Sequence, residues 1–516
     1  MIKTSVRGAT PDSAKDGHGP THYARIESLP ATPDDENDVH SRRSTVVRFG
    51  AIRADWVGFS GGPFDLASNN TANPDEETPA DRYWLRRIEQ GPHLASPDPF
   101  QDMPTERLQF LVTQADAADM DLTELMAEGT WLELNVSPTD RSAPESWSIE
   151  TQESLGIVIP DEPSVGNSGV DEVAVVVTLS EPLQISDVGV SLSRSLSMAA
   201  WPLATPRALT EAMSSIDPLS QMVALNVGQA TSVALLDSEG YAQAYVDVGT
   251  PLAFLHGKAP AGLGYCLCRN PLIILTHWHA DHYQGGWAQD RTLLQLTWIA
   301  PKQPAMTVNA LRYASSILAA GGSILLVDPT TPGPLIARLV EPREHVDRAW
   351  PRHGQEAQLV VATGRTLNDS GLALYIHDID REASWLLPGD ANYAVIPRPS
   401  RPYELTALVV AHHGGALSSA PAARTTRRYA RVLYSFGRLN TYGHANAKTS
   451  ATHARSNWRD RATTVLGGHN QPRGLDVLTT GFHFAGQDEP VTAGWLRRPL
   501  TPEHFVRCSN INPPRR

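Results

Sequence analysis

Residues 274–286 read ILTHWHADHYQGG: the end of an oily run, then three histidines and an aspartate within six residues, then two glycines. Three imidazoles crowded at a strand end repel one another as they take up protons, so they need a partner that a packed core does not supply. A cation supplies it. Leu272–Leu275 reads as a buried strand, and strand alternation turns His277 and His279 to the same side, where both can reach one ion. The chain must then turn for Asp281 and His282 to reach a second ion, and Gly285 and Gly286 permit tight backbone there. Imidazole and carboxylate suit zinc, and also manganese or iron. The competing reading, histidines on the surface of a polar loop, leaves the crowding unexplained.

One cluster does not close a site for two ions. Downstream, WLLPGDANY brings Asp390 to the end of another apolar run, and LVVAHHGGALSS brings His412 and His413 to the end of a third, again followed by two glycines. Read singly, the first is an ordinary turn and the second is one core and one surface histidine. Read together, three strand ends carrying ligands are what a rigid site on a layered scaffold requires. Further strand-like runs lie at Val223–Asp237 (two strands around a glycine-containing turn), Tyr241–Leu252, Ser323–Asp328, Gln358–Gly364, Gly371–Asp378, Ser384–Asp390, Ala407–Gly415, Arg431–Gly437 and Thr463–Gly468. Helical patterns between several of them give an α/β layered fold.

HxHxDH after an apolar strand, then a strand ending Gly-Asp, then one ending His-His-Gly, resembles the metallo-β-lactamase fold. VALNVGQATSVALL, VDVG, LLPGD, VVAHHGG and the late FGRLNTYGHAN resemble one branch of it. That branch includes the hydrolase-like domain of bacterial competence DNA-uptake proteins and the phosphorylcholine esterases. The resemblance covers roughly residues 220–470 and implies an αββα sandwich holding two zinc ions per chain, or manganese in their place. It implies that His277 and His279 hold the first ion, that Asp281, His282 and His413 (or His412 in its place) hold the second, and that Asp390 bridges them. Many members carry one more histidine on the first ion; His345, His353 and His377 are the available candidates, and this branch often lacks that ligand. Asn440, Tyr442 and His444 match the branch's late Asn-x-Tyr-Gly-His motif, which would set His444 against the substrate or its leaving group. Ala445 stands where the branch usually has proline.

Two bridged cations about 3.5–4 Å apart bring the pKa of a bound water toward neutrality and polarise the bond under attack. The expected reaction is therefore hydrolysis, with Asp281 also able to orient the water. In SSAPAARTTRRYAR, Ser419 can cap a helix with Pro421 in its first turn, and Arg424, Arg427, Arg428 and Arg431 then share one helical face. Such a stripe suits phosphate, which Arg grips bidentately, or is simply a solvated basic face or one that docks the acidic N-terminal half. The leading expectation is a phosphodiesterase or nuclease acting on a phosphate-containing small molecule or a nucleic acid. The alternatives are a hydrolase of carboxyl esters, lactones or thioesters, and a metal-bearing interaction scaffold with little catalysis.

The 516-residue chain has a net charge of -13, unevenly spread. Residues 1–215 hold 15 Lys and Arg against 34 Asp and Glu, whereas residues 216–516 hold 28 against 22. This asymmetry separates an acidic N-terminal region from a hydrolase-like domain over 216–516 and suggests a protein partner for the acidic half. Residues 1–45 are polar and read as disordered; residues 46–215 read as an α+β region of unknown fold. There, Thr105–Gly129 has helical spacing, Thr130–Val136 and Val170–Leu179 read as strands, and Ser137–Gly169 as loop. Three cysteines, Cys266, Cys268 and Cys508, are too few for a disulfide framework. With no signal-like apolar stretch at the start and no run long enough to span a bilayer, the expectation is a cytoplasmic protein without a membrane segment.

Overall fold

A computed structural model describes residues 21–28, 45–54, 105–112, 130–138, 147–153, 174–179, 196–250, 264–288, 290–303, 306–339, 354–399, 404–437, 444–465, 469–480 and 491–497, with a few single residues at 82–88 and 189–193. The chain divides into two compact units: Met1–Trp201 with Pro304–Ser316, and Pro202–Gln303 with Ile317–Arg516.

The first unit is a closed barrel of six antiparallel strands: β1 (Thr21–Ser28), β2 (Thr45–Arg53), β3 (Thr105–Val112), β4 (Trp131–Pro138), β5 (Trp147–Glu153) and β6 (Ala174–Leu179), in the order β1-β2-β3-β5-β6-β4. Ala24 and Ile26, Val47, Phe49 and Ala51, and Leu132 and Leu134 are buried at alternate positions, the period-two pattern of a strand with one face on a core. Closure leaves no unpaired edge. Arg25 is buried on β1; its Nη1 donates to the Met306 carbonyl at 3.0 Å, and burial lowers its pKa to about 10.

The barrel corrects three expectations. Residues 21–28 form β1, not part of a disordered tail. Thr105–Val112 is a strand, not the start of a helix; Leu108, Phe110 and Val112 also fit a period of two, and hydrogen-bonded partners on both sides, β2 and β5, decide the matter. Trp147–Glu153, expected as loop, is β5. The remainder of the helix expected over Thr105–Gly129 lies outside the described residues.

The second unit opens with α1 (Pro206–Ser214), capped by the Thr205 side chain accepting from Ala208 N; Leu209 and Met213 drop from it into the core. Two seven-stranded mixed sheets follow. The first contains β7 (Gln221–Ala224), β8 (Ser232–Leu236), β9 (Ala242–Val248), β10 (Leu272–Ile274), β11 (Thr297–Pro301), β12 (Ser323–Val327) and β22 (Val491–Gly494), in the order β12-β11-β10-β9-β8-β7-β22. The second contains β13 (Leu335–Leu339), β14 (Gln355–Val361), β15 (Leu372–Asp378), β16 (Ala383–Leu387), β17 (Ala407–Val409), β18 (Arg431–Tyr434) and β21 (Val477–Thr479), in that order, and β19 (Arg461–Val465) and β20 (His469–Arg473) form a separate two-stranded sheet.

Val246, Ile274 and Ile299 of the first sheet share one buried cluster with Leu359, Leu374, Trp385, Leu387 and Val409 of the second. The alternate residues of the second sheet, Val360, Ala373, Leu386, Leu408 and Val432, face a separate cluster on its other side. Both faces are therefore buried, which explains the near-continuous apolar runs in the sequence. Truncating Leu374 in such a core costs about 2–5 kcal/mol.

Among the described residues, further α-helices in this unit are α2 (Ala280–Tyr283), α3 (Gly285–Ala288) and α5 (Ala447–Arg455), while most of α4 (Val308–Ala319) falls in the first unit. Among the described residues, no helix is long and apolar enough to cross a membrane. β9 runs parallel to β10, and β16 parallel to β17 and β18, so their carboxyl ends gather at one edge of each sheet. There the Thr276 carbonyl, just past β10, accepts from Leu372 N at 2.7 Å and ties the two edges together.

Candidate metal centre

Past β10, Leu275 still donates to the Ile299 carbonyl at 2.8 Å. Thr276 is then caught by Asp247 at the end of β9: its backbone N–H donates to Oδ1 at 2.7 Å and its hydroxyl to Oδ2 at 2.8 Å. Trp278 is fully buried, its indole N–H on the Pro301 carbonyl at 2.8 Å. His277 and His279, one position either side, face one another, with His277 Nε2 3.0 Å from His279 Nδ1. That is close to the roughly 3.3 Å expected between two nitrogens on one tetrahedral zinc. The single turn α2 then presents Asp281 and His282.

Gly285 and Gly389 are explained by this packing. Gly285 lies in helical backbone rather than in a special turn, and a Cβ there would stand 2.3 Å from the Val248 carbonyl. Gly389, directly before Asp390, has φ +59 and lies against the Thr276 side chain, where a Cβ would meet it at 2.6 Å. Only glycine adopts that backbone at so close an approach without strain.

Asp390, past the end of β16, lies at the middle of the cluster. Its Oδ1 is 3.1 Å from His282 Nε2 and 3.8 Å from His413 Nε2; its Oδ2 is 3.7 Å from His277 Nε2 and 3.9 Å from His412 Nε2. Asp281 Oδ2 is 3.4 Å from His413 Nε2. Two groups have ligand atoms all within 4.8 Å of one another: His277, His282 and Asp390, and Asp281, His282 and His413. The segment that delivers His412 and His413 follows β17, and both residues have positive φ, 51° and 52°, strained backbone of the kind found at functional sites.

The imidazoles are held from behind. His282 Nδ1 lies 2.7 Å from Asp247 Oδ2. His413 Nδ1 lies 3.0 Å from the Ser435 carbonyl, which can only accept, so Nδ1 carries the proton. His277 Nδ1 is 3.1 Å from the Thr276 hydroxyl, whose own proton goes to Asp247. Each ring thus keeps its Nε2 lone pair for the cluster, the arrangement in which metal-binding histidines are oriented by partners on the far nitrogen. The Nε2 atoms of His282 and His413, and Asp390 Oδ1, are buried and have no well-formed hydrogen bond, only the ion-pair approaches of 3.1 Å and longer given above. At ~1–3 kcal/mol each, leaving three such atoms without a well-formed hydrogen bond costs a large part of a domain's net stability. A divalent cation offsets that cost, so the residues present fit a metal centre.

Burial, followed by the charge at His282, pushes His277 well below the ordinary imidazole value, and burial takes His279 down to about 4. Burial also lowers His444, assisted by His412 and His413. For His282 burial acts in the same direction, but Asp390 and Asp247 outweigh it and hold the proton well above the usual range. His413 is raised likewise, Asp390 and Asp281 overcoming burial. Burial opposes ionisation of Asp390, yet the surrounding imidazoles keep it well below the usual carboxylate range.

The other expected site residues divide. His444 is buried beside the cluster, its ring 5.4 Å from His412 and 5.9 Å from His413 between centroids. Asn440, Tyr442, His345 and His353 lie outside the described residues. His377 bonds Ser384 Oγ at 2.8 Å, at the end of β15 away from the cluster, roughly 16 Å along the strand from Leu372.

The arginine stripe is corrected. Residues 420–430 form bends and irregular backbone, with Arg424 in an isolated bridge to Leu405, rather than a helix, and Arg431 begins β18. Arg424 is buried, with Nε 2.7 Å from Asp476 Oδ2, and Arg427 pairs with Glu382 at 2.9 Å, just before β16. Arg428 is exposed, and its carbonyl accepts from Arg424 Nη2 at 3.1 Å. This segment adjoins the amino ends of β16 and β18, the opposite edge from Asp390 and His413. Arg424 and Arg428 therefore lie away from the cluster, and the buried carboxylate of Asp476 holds Arg424.

Four residues at the cluster were not singled out from sequence: Asp247, Thr276, Thr231 (Oγ1 3.1 Å from His413 Nδ1) and Gln229. The first had a visible signal, a lone carboxylate inside the apolar run YAQAYVDVG. The sequence matches no model of a known protein family and no curated protein.

Proposed function

We propose that the chain is a dinuclear metal-dependent hydrolase of the metallo-β-lactamase fold. The observation that carries this reading is the placement of Asp390, with one carboxylate oxygen toward His282 and His413 and the other toward His277. Two zinc ions, or manganese, would be held by His277 and His279 on one side and Asp281, His282 and His413 on the other, with Asp390 between. When bound, such cations ionise water and polarise the bond to be cut. Asp281 would orient the attacking water, while His412, whose side chain is 30% exposed, and His444 would face the substrate.

A phosphodiester, in a small molecule or a nucleic acid, is the favoured substrate, because a dication pair with His412 and His444 beside it suits an anion with two free oxygens. A carboxyl ester, lactone or thioester is the second reading, and it gains from the engagement of Arg424 with Asp476, which leaves that guanidinium unable to grip a phosphate. Assay of the zinc-loaded full chain against bis-p-nitrophenyl phosphate, single-stranded DNA, cyclic nucleotides and a lactone panel separates the two. Phosphodiester cleavage that disappears in Asp390→Asn supports the first reading; cleavage of lactones alone supports the second; no turnover of any of them, with zinc bound, contradicts both.

A further inference from the structure

We infer that Gln229 fixes the tautomer of His444 and so makes its Nε2–H a hydrogen-bond donor toward the substrate; this rests on the hydrolase reading above. Gln229 lies in the turn between β7 and β8 and is 3% exposed. Its Oε1 accepts from Gly437 N at 3.0 Å. A backbone N–H can only donate, so this contact settles which end of the amide is oxygen. The other end, Nε2, is 2.9 Å from His444 Nδ1. An amide nitrogen also only donates, so His444 Nδ1 must be the acceptor and carry no proton. A neutral imidazole then has its hydrogen on Nε2.

That nitrogen lies over Gly415, where a Cβ would stand 2.9 Å from it, and the His444 ring stacks on His413 at an interplanar angle of 18°. His444 is thus the inverse of its neighbours. His413 is protonated on Nδ1 and offers a lone pair to the cluster, whereas His444 has its lone pair turned away and offers an N–H. A lone pair serves a cation; an N–H serves the negative charge that gathers on the substrate's oxygens as they are attacked. His444 is the catalytic residue in this account and Gln229 a positioning residue. The role of the turn motif VGQA, read from sequence only as a link between strands, is then to set the polarity of one imidazole 215 residues away.

The test is nitrogen-15 spectroscopy of the zinc-loaded full chain with labelled histidine, His444 being assigned by the resonance lost in His444→Gln. Wild-type protein is expected to show His444 protonated on Nε2 and bare on Nδ1. Gln229→Glu keeps an acceptor for Gly437 N–H but reverses the contact with the ring, so the proton is expected to move to Nδ1. Zinc content stays unchanged, and kcat on bis-p-nitrophenyl phosphate falls by about 100-fold, the loss typical of one such donor, with a smaller change in KM. Gln229→Ala removes the contact without reversing it and is expected to populate both tautomers. A wild-type His444 protonated on Nδ1 overturns the inference, as does a moved proton with undiminished kcat. Wild-type protein that binds no zinc and cleaves nothing overturns the hydrolase reading itself and takes the donor role with it; metal analysis tells that failure from the other two.

Discussion

His282 lies between two carboxylates, and Asp247 grips the far side of its ring: Nδ1 is 2.7 Å from Asp247 Oδ2, while Nε2 is 3.1 Å from Asp390 Oδ1. Both side chains are fully buried, so the pair is fixed before any ligand arrives. Because Asp247 sets the ring's orientation and basicity, Asp247→Asn is expected to weaken zinc binding by about 10–100-fold. Competition with a chromogenic chelator measures this; unchanged affinity in a folded variant would show that Asp247 serves only the backbone at Thr276.

Metal removal has a thermodynamic consequence. The buried atoms of His282, His413 and Asp390 that lack a well-formed hydrogen bond favour a cation in the folded state, and the unfolded chain presents no such assembled site. Free zinc at 100 times its Kd is expected to stabilise the protein by about 2.7 kcal/mol over the chelated form. Differential scanning calorimetry with and without chelator checks the direction; a Tm indifferent to zinc contradicts it.

Zinc affinity is expected to rise with pH. In the metal-free protein Asp390 and its companion carboxylates hold protons on His282 and His413 above the usual imidazole range, and a cation must displace them. Each displaced proton makes Kd about tenfold tighter per pH unit below the folded-state pKa. The sign for stability is opposite. A raised folded-state pKa stabilises below the unfolded value near 6.5, and that contribution is lost as pH rises through the folded value. The chelated protein should therefore lose stability from about pH 6.5 upward while the zinc affinity gains. Calorimetric titration in buffers of different ionisation enthalpy counts the released protons, and a pH-independent Kd contradicts the account.

Arg424→Met is expected to be a stability variant. Removing the guanidinium leaves buried Asp476 with Arg459 alone, whose Nη2 lies 2.6 Å from Oδ1. The loss should be ~3 kcal/mol, at the low end for a broken buried pair because one partner remains. Denaturant titration measures it, and KM for an anionic substrate should not move. A raised KM with unchanged stability would return Arg424 to the substrate side.

The site was more legible than the scaffold that carries it. His277, His279, Asp281, His282, Asp390 and His413 stood out because each ends an apolar run, and parallel strands bring their carboxyl ends to one edge. Asp247 was visible as a lone carboxylate in an apolar strand, but that says nothing of its partner, and His282 is 35 residues away. The barrel was hidden because TERLQFLV satisfies a helical and a strand period at once, and only pairing with distant segments chooses between them. The arginine spacing misled for the same reason: a 3.6 period was present, but a buried aspartate 52 residues downstream claimed Arg424.

Elemental analysis of the purified full chain, wild type beside Asp390→Ala, tests the central claim most directly. The account expects about two divalent cations per wild-type chain and a loss of at least one on removal of the shared carboxylate. Fewer than one per wild-type chain after zinc loading, or the same content in both proteins, would contradict it.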